Sequence, residues 1–100
     1  MVLIMLNSRN RILGEKVIFQ GTSNELSVSI SEVFTHLVRK NAKKFYVLHN
    51  HPSGEVEPST DDIRTTLALK EMGEQLHIQL KDHIILGKED YYSFLENQLI

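Results

Sequence analysis

The sequence predicts a single α/β domain, residues 1–100, built on a mixed sheet. Apolar runs of strand length occur near the start, in the middle and near the end of the chain, and segments with helical spacing of apolar residues lie between them. Turn-forming residues separate these runs. The predicted order is β-β-α-β-α-β-β, because strands that alternate with helices are typical of layered α/β folds. A chain of 100 residues is long enough to bury one core.

The first half of the chain predicts a hairpin followed by a helix. Residues 2–6 form an apolar run, the cluster Asn-Ser-Arg-Asn at 7–10 is typical of a turn, and residues 11–20 are expected to return as the second strand. The pattern Ser29-x-x-Glu32 has the spacing of a capping box, so a helix is predicted from there to about residue 42. Four apolar residues are predicted on its inward face: Val33, Phe34, Leu37 and Val38.

The middle of the chain predicts a central strand and a second helix. Residues 45–49 are nearly all apolar, which favours a strand that is covered on both faces. The next helix is predicted over residues 60–72, and Gly73 is expected to end it. Its predicted inward face includes Ile63, Leu67 and Ala68.

The last part of the chain predicts two more strands and a short helical end. Residues 76–80 alternate between apolar and polar side chains, and residues 82–87 contain a further apolar run, so each is predicted to be a short strand. Residues 91–100 are predicted to dock as a last helical turn.

Composition narrows the class of protein. Apolar residues make up 41% and charged residues 24% of the chain, which disfavours disordered and membrane proteins. The net charge of −2 leaves no basic footprint for nucleic acid. The chain contains no cysteine, so a bound metal must be held by histidines and carboxylates, and a cytoplasmic location is expected. The apolar residues at 1–6 are too few for a signal sequence or a membrane span.

Two histidines and an aspartate form a candidate metal site. His49 and His51 are two positions apart at the end of a predicted strand, so their side chains share a face. Asp62 lies on the first turn of the next predicted helix. Ligands bind at strand ends in α/β sheets. Two imidazoles and one carboxylate leave a fourth position for water on a tetrahedral zinc, the pattern of a catalytic site.

Each of these residues also has a simpler interpretation. Asp62 and Ser59 fit a capping box. Because a carboxylate has two oxygens, Asp62 could both cap the helix and bind a metal. Asp61 is an alternative ligand, and Ser59 is either a helix cap alone or a group that also reaches a developing oxyanion. His83 follows Asp82, and a structural His-Asp contact is favoured over a role in supporting the ligands. The remaining two histidines, His36 and His77, are expected at the surface.

These residues resemble a known motif. His49-x-His51-Pro52, a gap and then Pro58-Ser59-x-x-Asp62 resemble the JAMM motif of JAB/MPN metallohydrolases. The string at 49–54 is similar to the bacterial RadC-like branch of that family. So are three shorter strings, which the chain carries at 21–22, 82–85 and 91–94. The resemblance covers nearly the whole chain.

The resemblance implies a fold, a cofactor and a reaction. The fold is a three-layer α/β/α sandwich with a mixed sheet, similar to cytidine deaminase. The cofactor is zinc held by His49, His51 and Asp62, and the reaction is hydrolysis of a peptide or isopeptide bond by water. Ser59 would help to stabilise the oxyanion, and a Glu would act as general base.

The chain departs from the family pattern at that Glu. The family's Glu belongs on the first strand and aligns just before Met1, while Glu15 lies too far along the hairpin and Glu32 is explained by its capping box. We therefore expect the chain to be the C-terminal part of a longer RadC-like protein, and to bind metal better than it catalyses.

Two functions follow as hypotheses. The first is the metal-binding catalytic domain of a zinc metallohydrolase, acting on an unidentified peptide or isopeptide substrate. The alternative is a non-catalytic metal-binding interaction module in a DNA-associated complex. RadC-like proteins have a historical link to DNA repair, which the charge of this chain does not support. No membrane contact is expected, and nucleic acid is not expected to bind this domain alone. A homodimer could form through the first strand if that strand lies at an edge.

Overall fold

The computed structural model describes residues 1–18 and 30–100. These residues form five strands and two helices, in the predicted order β-β-α-β-α-β-β. The elements are β1 (Val2–Leu6), β2 (Ile12–Val17), α1 (Ile30–Arg39), β3 (Lys44–Asn50), α2 (Thr60–Leu76), β4 (Gln79–Leu86) and β5 (Tyr91–Ser93). The capping residue predicted for the first helix, Ser29, and the end of the second predicted strand, 19–20, lie outside the described residues.

The strands form one mixed sheet in the order β2-β1-β3-β4-β5. The β3 and β4 strands are parallel, and the other neighbours are antiparallel. The α/β class, the mixed sheet and the central place of β3 are confirmed. The β1 strand does not lie at an edge, which is the condition for a homodimer through it, because β2 pairs with one side of β1 and β3 with the other. Among the described strands, β2 and β5 are the edges.

Both helices pack on the same face of the sheet. Val33 and Leu37 of α1 and Leu69 of α2 share one core cluster with Leu3 and Val47. Right-handed connections that advance in the same direction across a sheet place their helices on one face. On the opposite face, the side chains of β1 and β3 are partly buried or exposed, except for Leu6, which is buried. The central strand therefore alternates in burial, instead of being fully covered on both faces. Within the described residues, neither helix supplies the second helical layer of the predicted sandwich.

The end of the sheet differs from the prediction. Residues 79–86 form one strand, β4, instead of two short ones. Its pairing with β3 shifts register, so that Phe45 lies beside Leu80 while Tyr46 lies beside Asp82. The extra residue, Lys81, is a bulge that reverses the alternation of side chains, which is why the sequence suggests a break there. The predicted helical end is wrong at its start, where Tyr91–Ser93 form β5.

The second helix buries a different face from the one predicted. Its buried residues are Asp62, Thr66, Leu69 and Gly73, whereas Leu67 is 48% exposed. Val38 of α1, also predicted to face inward, is 62% exposed. Two of the four buried α2 residues are polar, so a search for apolar side chains selects the wrong side of this helix.

Gly73 lies inside α2, although it was expected to end the helix. The helix continues to Leu76, and His77 caps it in the left-handed conformation with φ 57°. The absence of a side chain at Gly73 allows the chain after the helix to return over it, because a Cβ there would lie 2.2 Å from the carbonyl oxygen of Ile78. Neither helix of the described residues is long and apolar enough to cross a membrane.

We expect Gly73→Ala to destabilise the protein, although alanine is the better helix former. Overpacking of this kind typically costs about 1–3 kcal/mol, since the backbone near Ile78 must move. Gly14→Ala is the matched control, because the nearest atoms to a Cβ at Gly14 are 3.6 Å away and belong to flexible side chains. Urea unfolding should show a lower midpoint for the first variant only. Equal midpoints for Gly73→Ala and the wild type would contradict the close approach.

Candidate metal centre

The predicted ligands converge on one point at the end of the sheet. His49 is near the end of β3, on the face that α1 and α2 cover, His51 follows that strand, and Asp62 lies on the first turn of α2. Each offers one ligand atom, and these atoms all lie within 4.8 Å of one another. His49 is 7% exposed and Asp62 is fully buried. This group could hold a metal ion. Asp61, the alternative carboxylate, is not part of it.

Asp62 serves the helix and the site together. Its Oδ2 atom accepts a hydrogen bond from the backbone N–H of Ser59 at 2.8 Å, and its own N–H donates to the Ser59 hydroxyl at 3.0 Å. This is the predicted capping box. The same Oδ2 lies 3.1 Å from Nε2 of His51, while Oδ1 lies 3.5 Å from Nε2 of His49. The cap therefore orients the carboxylate toward both imidazoles.

The hydrogen bond on the far side of His51 assigns its tautomer. Nδ1 of His51 lies 2.7 Å from the backbone carbonyl oxygen of Glu55. A carbonyl oxygen only accepts, so the ring proton is on Nδ1. Nε2 of His51 lies 3.1 Å from Oδ2 of Asp62, which is also an acceptor, so this nitrogen gives up its proton when it binds a metal.

Two buried atoms in the group have no hydrogen-bond partner among the described residues: Nε2 of His49 and Oδ1 of Asp62. Most buried polar atoms in native proteins are paired, so two adjacent exceptions need an explanation. A cation between them would satisfy both atoms. The donor set of two imidazole nitrogens and one carboxylate oxygen fits a metal of the zinc type.

The charge state of Asp62 also suits metal binding. Burial alone would raise the pKa of Asp62, but the neighbouring His49 and the hydrogen bond from the Ser59 backbone hold that pKa well below its usual value. The carboxylate is therefore ionised at neutral pH, which is the form that binds a cation.

His83 supports a candidate metal ligand, the role that the sequence analysis considered but favoured less than a structural contact with Asp82. The expected contact with Asp82 is only a hydrogen bond from the backbone N–H of His83 to Oδ1, at 2.7 Å. The imidazole itself points to the site, with Nε2 2.8 Å from Nδ1 of His49 and Nδ1 2.5 Å from Oγ1 of Thr66. It also stacks on Phe94, with ring centroids 4.5 Å apart.

Sequence reasoning missed Thr66 entirely. This residue is fully buried, and it lies four positions after Asp62 on the same side of α2. The i, i+4 spacing is a signal that could have found it. His77 is exposed, as predicted, and His36 is partly buried, with Nε2 3.9 Å from a Glu32 carboxylate oxygen.

No glutamate of the described residues joins the metal group. Glu15 pairs with Ile4, which pairs in turn with Tyr46. Tyr46 and His49 are three positions apart on one strand, so they point to opposite faces of the sheet. This geometry keeps Glu15 away from the site, as expected.

Comparison with known proteins identifies the family. The family model of the RadC-like JAB domain matches residues 1–99. The chain belongs to this family. A UPF0758 protein of Staphylococcus haemolyticus is 47% identical to this chain over 95 residues, which are 95% of this chain and 42% of that protein. A UPF0758 protein of Staphylococcus aureus strain NCTC 8325 is 46% identical over 95 residues, which are 95% and 44% of the two chains. The domain thus spans less than half the length of these relatives.

We expect His83 to make the stability of this chain, free of metal, depend on pH. Burial, with a smaller contribution from His49, lowers the pKa of His83 from 6.5 to about 3. The unfolded chain takes up a proton at His83 below pH 6.5, while the folded domain does not until about pH 3. The stabilisation is therefore complete above pH 6.5 and is lost as the pH falls toward 3, at a rate that approaches about 1.4 kcal/mol per pH unit.

Urea unfolding with a chelator present, at pH 7 and at lower pH, measures this dependence. His83→Gln should unfold with a shallower pH dependence than the wild type. His77→Asn is the control, because His77 is exposed and Asn tolerates its left-handed backbone. A His83→Gln profile parallel to that of the wild type would contradict the assignment.

Proposed function

We propose that this chain carries the zinc site of a RadC-type JAMM metallohydrolase that cleaves peptide or isopeptide bonds. The observation that carries the proposal is the meeting of three donor side chains around two buried, unpartnered atoms, Nε2 of His49 and Oδ1 of Asp62. Three protein ligands are typical of catalytic zinc sites, which keep one position for water or substrate. Structural zinc sites use four protein ligands.

Zinc bound by His49, His51 and Asp62 would supply Lewis acidity, which brings the pKa of a coordinated water to about 7 and polarises a carbonyl group. The chain's own contribution is to hold the ligands in place. Ser59 orients the Asp62 carboxylate, and Glu55 orients the His51 ring through its backbone. Such outer contacts set ligand geometry and basicity.

The exposure of the residues gives the direction from which a substrate would approach. The His49 and Asp62 side chains are 5% and 0% exposed, whereas the His51 side chain is 20% exposed. Ser59, beside them, is exposed. Its hydroxyl accepts the Asp62 N–H through a lone pair, which leaves the hydroxyl proton to donate to an oxyanion. Helix capping and catalysis are therefore compatible roles for Ser59.

Hydrolysis also needs a general base. We propose that a Glu outside this chain takes the proton of the attacking water and returns it to the leaving amine. The chain covers 42–44% of the length of its relatives, which therefore contain residues outside the matched region. A cytoplasmic location is part of this proposal.

A second candidate is a metal-binding module without catalysis, serving a DNA-associated complex. One observation favours it: no glutamate joins the metal group in the part of the chain that the structure describes. Both candidates require the same metal site and differ in turnover.

We expect the metal-free chain to bind one zinc ion through this site. His51→Ala should abolish stoichiometric binding, because it removes one of three donors. The control is His77→Asn, which removes an exposed imidazole outside the site. Zinc content and the rise in melting temperature with added zinc are the two measurements. Zinc stoichiometry and stabilisation that survive His51→Ala would show that the ligand set is wrong.

We expect hydrolytic activity from a form of the protein extended upstream to include the family Glu. Activity against peptide and isopeptide libraries should be lost on Glu→Gln at that position while zinc is retained, since a general base typically contributes about 10²–10⁴-fold. Ser59→Ala should lower kcat while zinc content stays unchanged. Full zinc loading without turnover of any library member would favour the non-catalytic module.

A further inference from the structure

A row of hydrogen bonds runs from the backbone carbonyl of Asp62 through Thr66 and His83 to His49. The proton in each bond can be placed by asking which atom is able to donate. Oγ1 of Thr66 lies 2.8 Å from the backbone carbonyl oxygen of Asp62 and 2.5 Å from Nδ1 of His83. A carbonyl oxygen has no proton, so the first contact requires the single hydroxyl proton of Thr66. The second contact then requires a proton on Nδ1 of His83.

The next contact follows from that placement. A neutral imidazole with a proton on Nδ1 has a lone pair on Nε2. Nε2 of His83 lies 2.8 Å from Nδ1 of His49, so His49 donates to His83. His49 is then protonated on Nδ1. When its ring is neutral, the lone pair is on Nε2, the buried atom that has no other partner among the described residues.

We propose that Thr66 and His83 are positioning residues that fix the tautomer of His49. In the metal-free protein, the Nε2 lone pair of the neutral His49 ring then already faces the metal position. The chain of donors runs from His49 to His83, from His83 to Thr66, and from Thr66 to the backbone of α2. This inference rests on the proposed metal site. It assigns a role to two residues that are not themselves ligands.

The alternative placement has a clear cost. If His83 donated to His49 instead, His49 would carry its proton on Nε2, directed at Asp62 and at the metal position. A ligand nitrogen must be unprotonated to bind a metal, so that tautomer would have to rearrange first. Residue contacts that set ligand tautomers typically change metal affinity by about 10–100-fold.

The surroundings hold the chain of donors in place. Both Thr66 and His83 are fully buried. The His83 ring stacks on Phe94 at an angle of 5°, and its backbone N–H is held by Asp82. A second hydrogen bond to the same Asp82 oxygen comes from the backbone N–H of Leu95, at 3.0 Å. The ring therefore has little freedom to turn away from His49.

The wild-type protein gives the first test. Long-range ¹H–¹⁵N spectra of the metal-free chain distinguish a protonated ring nitrogen from one that carries a lone pair. His49 and His83 should both be protonated on Nδ1 and bare on Nε2. A neutral His49 ring with its proton on Nε2 would overturn the proposal, whatever the variants do.

Paired variants give the second test. His83→Phe keeps the stacking on Phe94 but removes the acceptor, and Thr66→Val keeps the side-chain shape but removes the hydroxyl. Each should mix the His49 tautomers in the metal-free spectrum and weaken zinc binding by about 10–100-fold. The matched controls retain the groups: Thr66→Ser keeps the hydroxyl, and His83→Gln offers an amide oxygen to Nδ1 of His49. Both should stay near wild-type zinc affinity.

The outcomes separate this inference from the proposed function. A wild-type chain that binds no zinc would refute the metal site, and the metal-free spectrum would still decide the tautomer. In a second outcome, the wild type binds zinc, and the His83→Phe and Thr66→Val variants fold with the His49 tautomer and the zinc affinity unchanged. This result would overturn the inference and leave the metal site intact. If these variants do not fold, the wild-type spectrum decides.

Discussion

The carboxylate of Asp62 is fully buried, and the structure around the site depends on how that charge is satisfied. A buried ionised group is costly unless it is hydrogen-bonded and paired. Here the amino end of α2 supplies the backbone N–H of Ser59. The end of β3 supplies the imidazole of His49, and the residue just after the strand supplies that of His51. The start of the helix and the end of the strand are thereby held together at one point. Bringing these two elements together is what creates the candidate metal centre.

A polar layer extends from this point into the protein, between α2 and the sheet. Thr66 and His83 are both fully buried, and each hydrogen-bonds a neighbour in the layer. Such networks are favourable only when every member is satisfied. In this one, the atoms left unpaired in the described residues are those facing the proposed metal. The layer thus ends in candidate metal-ligating atoms that face one position.

The two faces of α2 explain why the fold was easier to predict than the packing. The order of elements, the mixed sheet and the central strand follow from apolar runs and turn residues, and they are confirmed. The inward side of α2 was assigned to Leu67, which is half exposed, because the buried side begins with Asp62 and Thr66. Similarly, the bulge at Lys81 makes one strand look like two. Local patterns do not show that a polar side chain will be buried against a polar partner from elsewhere in the chain.

The sequence by itself determined that two imidazoles leave the end of one strand together and that a carboxylate opens the next helix, because side-chain direction in strands and capping at helix starts are local properties. Only the tertiary structure decided that His83 lies behind His49 and that Thr66 lies behind His83. Those contacts join residues 34 and 17 positions apart, and they depend on the parallel register of β3 and β4 and on which side of α2 faces the sheet. Register and helix rotation are set by packing over the whole domain, so no short stretch of sequence contains them.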